Sequence, residues 1–270
     1  MTRPLAIAPI TTPELAPPAM VSTAAGTGFS HVGLRMLPSV PGAFSWPLIT
    51  DAALRRETLA RMADTGVAVL DIDIIRLNAA SDPLAFKPFF ETGQVLGARN
   101  VLVAADDPEL SRLAANFAAL CDLAAPCGQT IDIEFMPWTT VPDLRAAVRL
   151  MQAVDRPNAG ILVDTLHVDR AGTTIAELAT VPRRWLHYMQ ICDAPAEKPG
   201  TVEEMIHCAR SERLFPGEGG LDLDGMVRAL PADLPVSVEV PTEMLARTVG
   251  AEERARRAIT TTRAVLDRIR

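Results

Sequence analysis

Residues 160–170 read GILVDTLHVDR. The continuous apolar run of Ile161, Leu162 and Val163 is the pattern of a fully buried strand. It closes on Asp164, and His167 follows three residues later. An ionised carboxylate at the end of a buried strand is costly unless something positive meets it: an arginine, a helix N-terminus or a metal ion. Outward from this stretch the same type of run recurs at 4–10, 31–36, 67–77, 100–106, 130–136, 186–193 and 235–240. Helical patterns separate these runs. In 108–124, Leu110, Leu113, Phe117, Leu120 and Ala124 fall at three- and four-residue steps. In 141–154, Val141, Leu144, Val148, Met151 and Val154 do the same, with Thr140 and Asp143 resembling a capping box. Gly66 and Gly97 stand where helices should stop. A last helix is expected over about 250–269. Strand–helix alternation of this length predicts an α/β fold, a (β/α)8 TIM barrel spanning 1–270 as a single domain. The rival doubly wound sheet lacks its glycine-rich turn after the first strand.

Composition narrows the function. The chain has 270 residues, 49% of them hydrophobic, and a net charge of −7, with no run of Lys or Arg, which argues against a nucleic-acid partner. No apolar stretch approaches the roughly 18 residues of a membrane span. The first residues hold too short an apolar run for a signal peptide. Cys121, Cys127, Cys192 and Cys208 have no CxxC spacing and read as reduced intracellular thiols. A soluble cytoplasmic protein is expected.

Side-chain alternation then selects the chemistry. In VSVEV, Val236, Val238 and Val240 share one face, so Ser237 and Glu239 share the other. Three valines belong against helices, which turns Glu239 into the barrel. By the same rule Ile131, Ile133 and Phe135 face outward, and Asp132 and Glu134 inward. Gln190 shares a face with Tyr188 and Cys192. Glu134, Asp164, Gln190 and Glu239 thus gather at the C-terminal ends of strands five to eight, where barrel enzymes keep their active sites. Three carboxylates in one mouth require a compensating charge. With an amide oxygen they suit one hard divalent ion, Mn2+ or Mg2+, with Co2+ and Zn2+ as alternatives. A metal ion is therefore expected at Asp164.

Glu134, the Asp-x-x-His of Asp164 and His167, the strand of Gln190 and Asp193, the following PGEGGLDL and the SVEV of Glu239 together resemble the xylose isomerase-like sugar phosphate isomerase/epimerase superfamily. The resemblance covers essentially the whole chain and is strongest over 130–241. It implies metal ligation by Glu134, Asp164, Gln190 and Glu239, and substrate contact by His167. Gln190 departs from the superfamily pattern, which has histidine there. The resemblance also implies proton abstraction next to a carbonyl through an enediolate, with Glu134 and Glu239 as the proton-transfer pair and His167 steadying a substrate oxygen. The expected substrate is a small carbohydrate, keto-sugar, sugar acid or keto acid, handled by an isomerase or epimerase. A lyase that expels a β-leaving group is the alternative, and a non-catalytic metal- or sugar-acid-binding barrel a further one. A DNA-repair nuclease of the same superfamily would need more histidine than the four present.

Arg35, Arg76 and Arg213 are candidates for binding a substrate carboxylate or phosphate. The competing reading pairs them with Asp71, Asp73 or Glu218. Trp138 and Trp46 are candidate pocket walls. His31, His187 and His207 read as structural. A homo-oligomer, dimer or tetramer, is expected.

Overall fold

The computed structural model describes residues 3–269. Eight parallel strands close into a barrel in chain order: β1 (Leu5–Ile7), β2 (His31–Arg35), β3 (Ala68–Leu77), β4 (Asn100–Ala105), β5 (Thr130–Glu134), β6 (Ala159–Asp164), β7 (Met189–Ile191) and β8 (Val236–Val238). β1 pairs with β8 through Leu5–Val236 and Ile7–Val238, which seals the sheet and leaves no exposed edge. Among the described residues no helix is long and apolar enough to cross a membrane.

The expected alternation decides what lies inside. Ile131, Ile133, Phe135, Val236, Val238 and Val240 all join the large core between strands and helices. A smaller cluster, including Leu70, Leu102, Leu162 and Tyr188, fills the barrel interior. Asp132 faces inward and bonds His187, Nδ1 to Oδ1 at 2.6 Å. Burial alone would lower the His187 pKa, but Asp132 overrides it and the imidazole titrates above its ordinary value. His187 therefore adds stability that is fully present below about pH 6.5 and is lost as pH rises through the folded value. His187→Gln should cost about 1.5–3 kcal/mol at pH 6, the range of a hydrogen bond to a charged group, and less at pH 9. Urea unfolding at both pH values measures this. An equal cost at both would assign the effect to the neutral ring.

Local chemistry sets the helix boundaries. Asp51 accepts the Ala53 and Leu54 N–H groups to start Ala52–Thr65, and Gly66 ends it at φ 74°. The helix expected over 141–154 begins only at Leu144. Pro142 disfavours a helical Val141, Asp143 is extended, and its side chain caps the Ala146 N–H. Thr140 instead donates to the Ala105 carbonyl, so the proposed capping box is absent. The run 186–193 is strand only over Met189–Ile191. Cys192 lies beyond the strand, its N–H bonded to Thr165 Oγ1, and its side chain joins the outer core rather than the interior cluster of Tyr188, with Sγ 3.4 Å from Arg213 Nη1.

Candidate active site

The strand ends carry polar side chains into one cavity of about 320 Å3 at the barrel mouth, bordered by Glu134, His167 and Glu239. Asp164 terminates β6 and caps the next helix, Thr165–Arg170: Oδ1 accepts the Leu166 and His167 N–H groups at 2.7 and 3.3 Å. Its Oδ2 receives Arg213 Nη1 at 2.6 Å. The question raised by Asp164 thus has two answers in the structure, a helix N-terminus and an arginine. Burial pushes the Asp164 pKa up, but Arg213 and the helix N–H groups hold it below the ordinary range.

Arg213 also reaches Glu239, Nη2 to Oε2 at 2.9 Å, and is anchored through Nε to the Ala209 carbonyl. It borders the cavity, but its ion pairs are with Asp164 and Glu239 rather than with Asp71, Asp73 or Glu218. Gln190 donates Nε2 to Glu239 Oε1 at 3.0 Å, leaving its own oxygen without a partner. Burial, with Asp164 and Asp73 adding, pushes Glu239 up to about 7. Glu134 is pushed well above its ordinary value by burial, Glu239 and Asp164. Its Oε1 has no hydrogen-bond partner and lies 3.5 Å from His167 Nε2.

His167 lies in a helix, buried, with its ring edge-on to Trp138 at 5.2 Å between centroids. Burial lowers its pKa to about 4, so it is a neutral imidazole near pH 7. Its Nδ1 is also without a partner. Trp138 borders the cavity, whereas Trp46 does not and packs against the outer core. Arg35 and Arg76 border the cavity too. Arg35 bonds Asp73 Oδ2 through Nε and Nη2 and lies over the Phe44 ring. Arg76 makes two parallel bonds to Asp106, a partner the sequence reading did not consider.

These residues fit a divalent cation on three grounds. Glu134, Asp164 and Glu239 are all buried, and among the described residues Arg213 is the only arginine or lysine paired with them, since Arg35 is committed to Asp73. Glu134 Oε1, Gln190 Oε1 and His167 Nδ1 are buried without partners. One ligand atom from each of Glu134, Asp164 and His167 lies within 4.8 Å of the others. This tight trio includes His167, for which the sequence resemblance implies substrate contact and a catalytic role but not ligation.

A family model described as xylose isomerase-like TIM barrel matches residues 21–265. An inosose isomerase of Bacillus velezensis is 29% identical over 155 residues, 54% of this chain and 53% of the relative. A 3-dehydroshikimate dehydratase of Pseudomonas aeruginosa is 31% identical over 162 residues, 56% of this chain and 25% of the relative. The chain thus spans about half the length of the first relative and a quarter of the second. Among solved structures, an IolI protein with a bound zinc atom superposes with a TM-score of 0.81 at 23% identity, over 99% of both chains.

Proposed function

This chain belongs to the xylose isomerase-like TIM barrel family, and from that premise we propose that it is a divalent-metal-dependent enzyme that abstracts a proton next to a carbonyl. Its substrate is a small polyhydroxylated ketone, and its reaction an isomerisation or epimerisation. What carries this reading is one arrangement: Glu134 and Glu239, both buried and both with raised pKa values, border the same cavity. Glu134 and Asp164, whose ligand atoms converge with one of His167, would hold the ion together with Gln190 and Glu239, and as a Lewis acid it would supply polarisation of the substrate carbonyl.

The protein's own groups supply the proton traffic. In the metal-free protein burial pushes Glu239 up to about 7, and a carboxyl titrating near neutrality suits general acid–base work. Glu134 has a free Oε1 toward His167. Neutral His167 has an unpartnered nitrogen to offer a substrate oxygen. Trp138 and Met136 give the cavity an apolar wall that limits water.

A second reading keeps the abstraction and adds loss of a β-leaving group, making the enzyme a lyase. The 31% identity to a dehydratase favours it. So does the arginine-lined mouth, since a keto acid brings a carboxylate. Both readings share one test. Chelator-stripped protein is incubated in D2O with inosose and with 3-dehydroshikimate, and carbon-bound deuterium is read by mass spectrometry. Mn2+ should restore exchange of the proton next to the carbonyl on at least one ketone, with rearranged or dehydrated product identifying the class. Exchange undiminished by chelation would remove the metal from the mechanism, and no exchange on either ketone would remove the proposal.

A further inference from the structure

Four arginines besides the deep Arg213 border the cavity, and three are already committed, Arg254 to Glu14 and the Thr11 carbonyl. Arg35 is paired with Asp73, and Arg76 with Asp106, so each of these charges is cancelled locally. Arg210, in the last turn of the helix Val202–Ser211, borders the same cavity and is solvent-exposed. Among the described residues it has no ion pair and no hydrogen bond from its side chain. The acid on the same rim, Glu243, does not bond it. Burial, with Arg76 and Arg35 adding and Asp106 opposing, pulls its pKa below the ordinary arginine value. A lone arginine elsewhere on a surface is unremarkable. One at a cavity mouth, with no ion pair or hydrogen bond from its side chain, has its donors open to a ligand.

We propose that the substrate carries an anionic group, a carboxylate or a phosphate, and that Arg210 receives it at the cavity mouth with Arg76 alongside. The carbonyl end then lies deeper, among the buried Glu134, His167 and Glu239. A cavity of about 320 Å3 is near the lower end for ligand pockets. It suits one ring or short chain with a single charged substituent. A guanidinium recognises either anion through two parallel N–H groups. The assignment rests on the functional reading above for the direction in which the substrate lies, and adds Arg210 as the residue selecting its charge.

Calorimetric titration decides it, with three probes on Mn2+-loaded protein: 3-dehydroshikimate for a carboxylate, fructose 6-phosphate for a phosphate and inosose as the neutral ketone. At least one anionic probe should bind tenfold or more tightly than inosose, and which one identifies the anion. Arg210→Gln should weaken that probe about tenfold, as loss of a charge-assisted bond implies, and leave inosose unchanged. Arg210→Lys should retain most of the preference, and added salt should erode it in the wild type. Inosose binding as tightly as both anions, or Arg210→Gln weakening all probes alike, would overturn the assignment. The exposed position of Arg210 lets both variants fold. Deuterium exchange separates the two ideas: anion preference without exchange removes only the proton-abstraction reading, and exchange without anion preference removes only this site.

Discussion

Glu134→Gln and Glu239→Gln are each expected to cut turnover at least about 100-fold, the usual contribution of a general base. Glutamine keeps an oxygen that can ligate a cation but cannot take up a proton. Both variants should therefore still bind Mn2+, and calorimetry without substrate checks this. Solvent exchange distinguishes the two roles. Loss of the abstracting residue should stop deuterium entry altogether. Loss of the returning residue should let deuterium enter while net conversion fails. Glu239 is pushed up to about 7 and Glu134 well above its ordinary value, so either can carry a proton at neutral pH. Glu134 is the one with a free oxygen beside His167. If both variants exchange at the wild-type rate, neither is the base, and His167 takes that role.

The second large effect concerns stability. Arg213→Met should destabilise the metal-free protein by about 3–5 kcal/mol, the range for removing one partner of a buried ion pair. The Arg213 side chain is 3% exposed and bonds two carboxylates that are no more exposed than 5%. Methionine fills much of the volume, so the loss is electrostatic rather than a cavity. Asp164 Oδ2 and Glu239 Oε2 would be left buried without a cation. A divalent ion that binds only the folded state stabilises it by mass action. Mn2+ should thus raise the unfolding temperature of the variant more than that of the wild type. A variant as stable as the wild type without metal would show that the guanidinium is not the counterion. Equal Mn2+ shifts would show that ion and arginine do not answer the same charge.

The sequence made the barrel legible because two periods coexist in it. Val236, Val238 and Val240 along β8 and just beyond it, and Ile131, Ile133 and Phe135 along β5 and just beyond it, can be assigned without coordinates, and their packing agrees. From those faces the inward direction of Glu134 and Glu239 follows. What sequence did not disclose was pairing across long separations. Arg213 meets Asp164 over 49 residues of chain, and no local pattern encodes that. Asp106 was accessible in principle, since it follows the strand adjacent to that of Arg76. Of the three partners the sequence leaves open for Asp164, the spacing after it already favours a helix N-terminus, since it marks an N-cap. Arg210 carries no sequence signal; only the cavity distinguishes it from other surface arginines.

Asp193 has a different kind of consequence, for how the chain tolerates change in length. Its buried carboxylate accepts four backbone N–H groups: Ala194 and Leu221 on Oδ1, Gly217 and Gly219 on Oδ2. Gly217 adopts φ 85°, which favours glycine, and a Cβ on Gly219 would lie 2.3 Å from the Ala194 carbonyl. The segment 217–221 is therefore wound around a single side chain with no slack. Inserting or deleting one residue there would shift the register of all the N–H groups beyond it and leave a buried charge partly unanswered. Domain insertions, circular permutation sites and fusion points placed in this loop would unravel the rim next to Arg213.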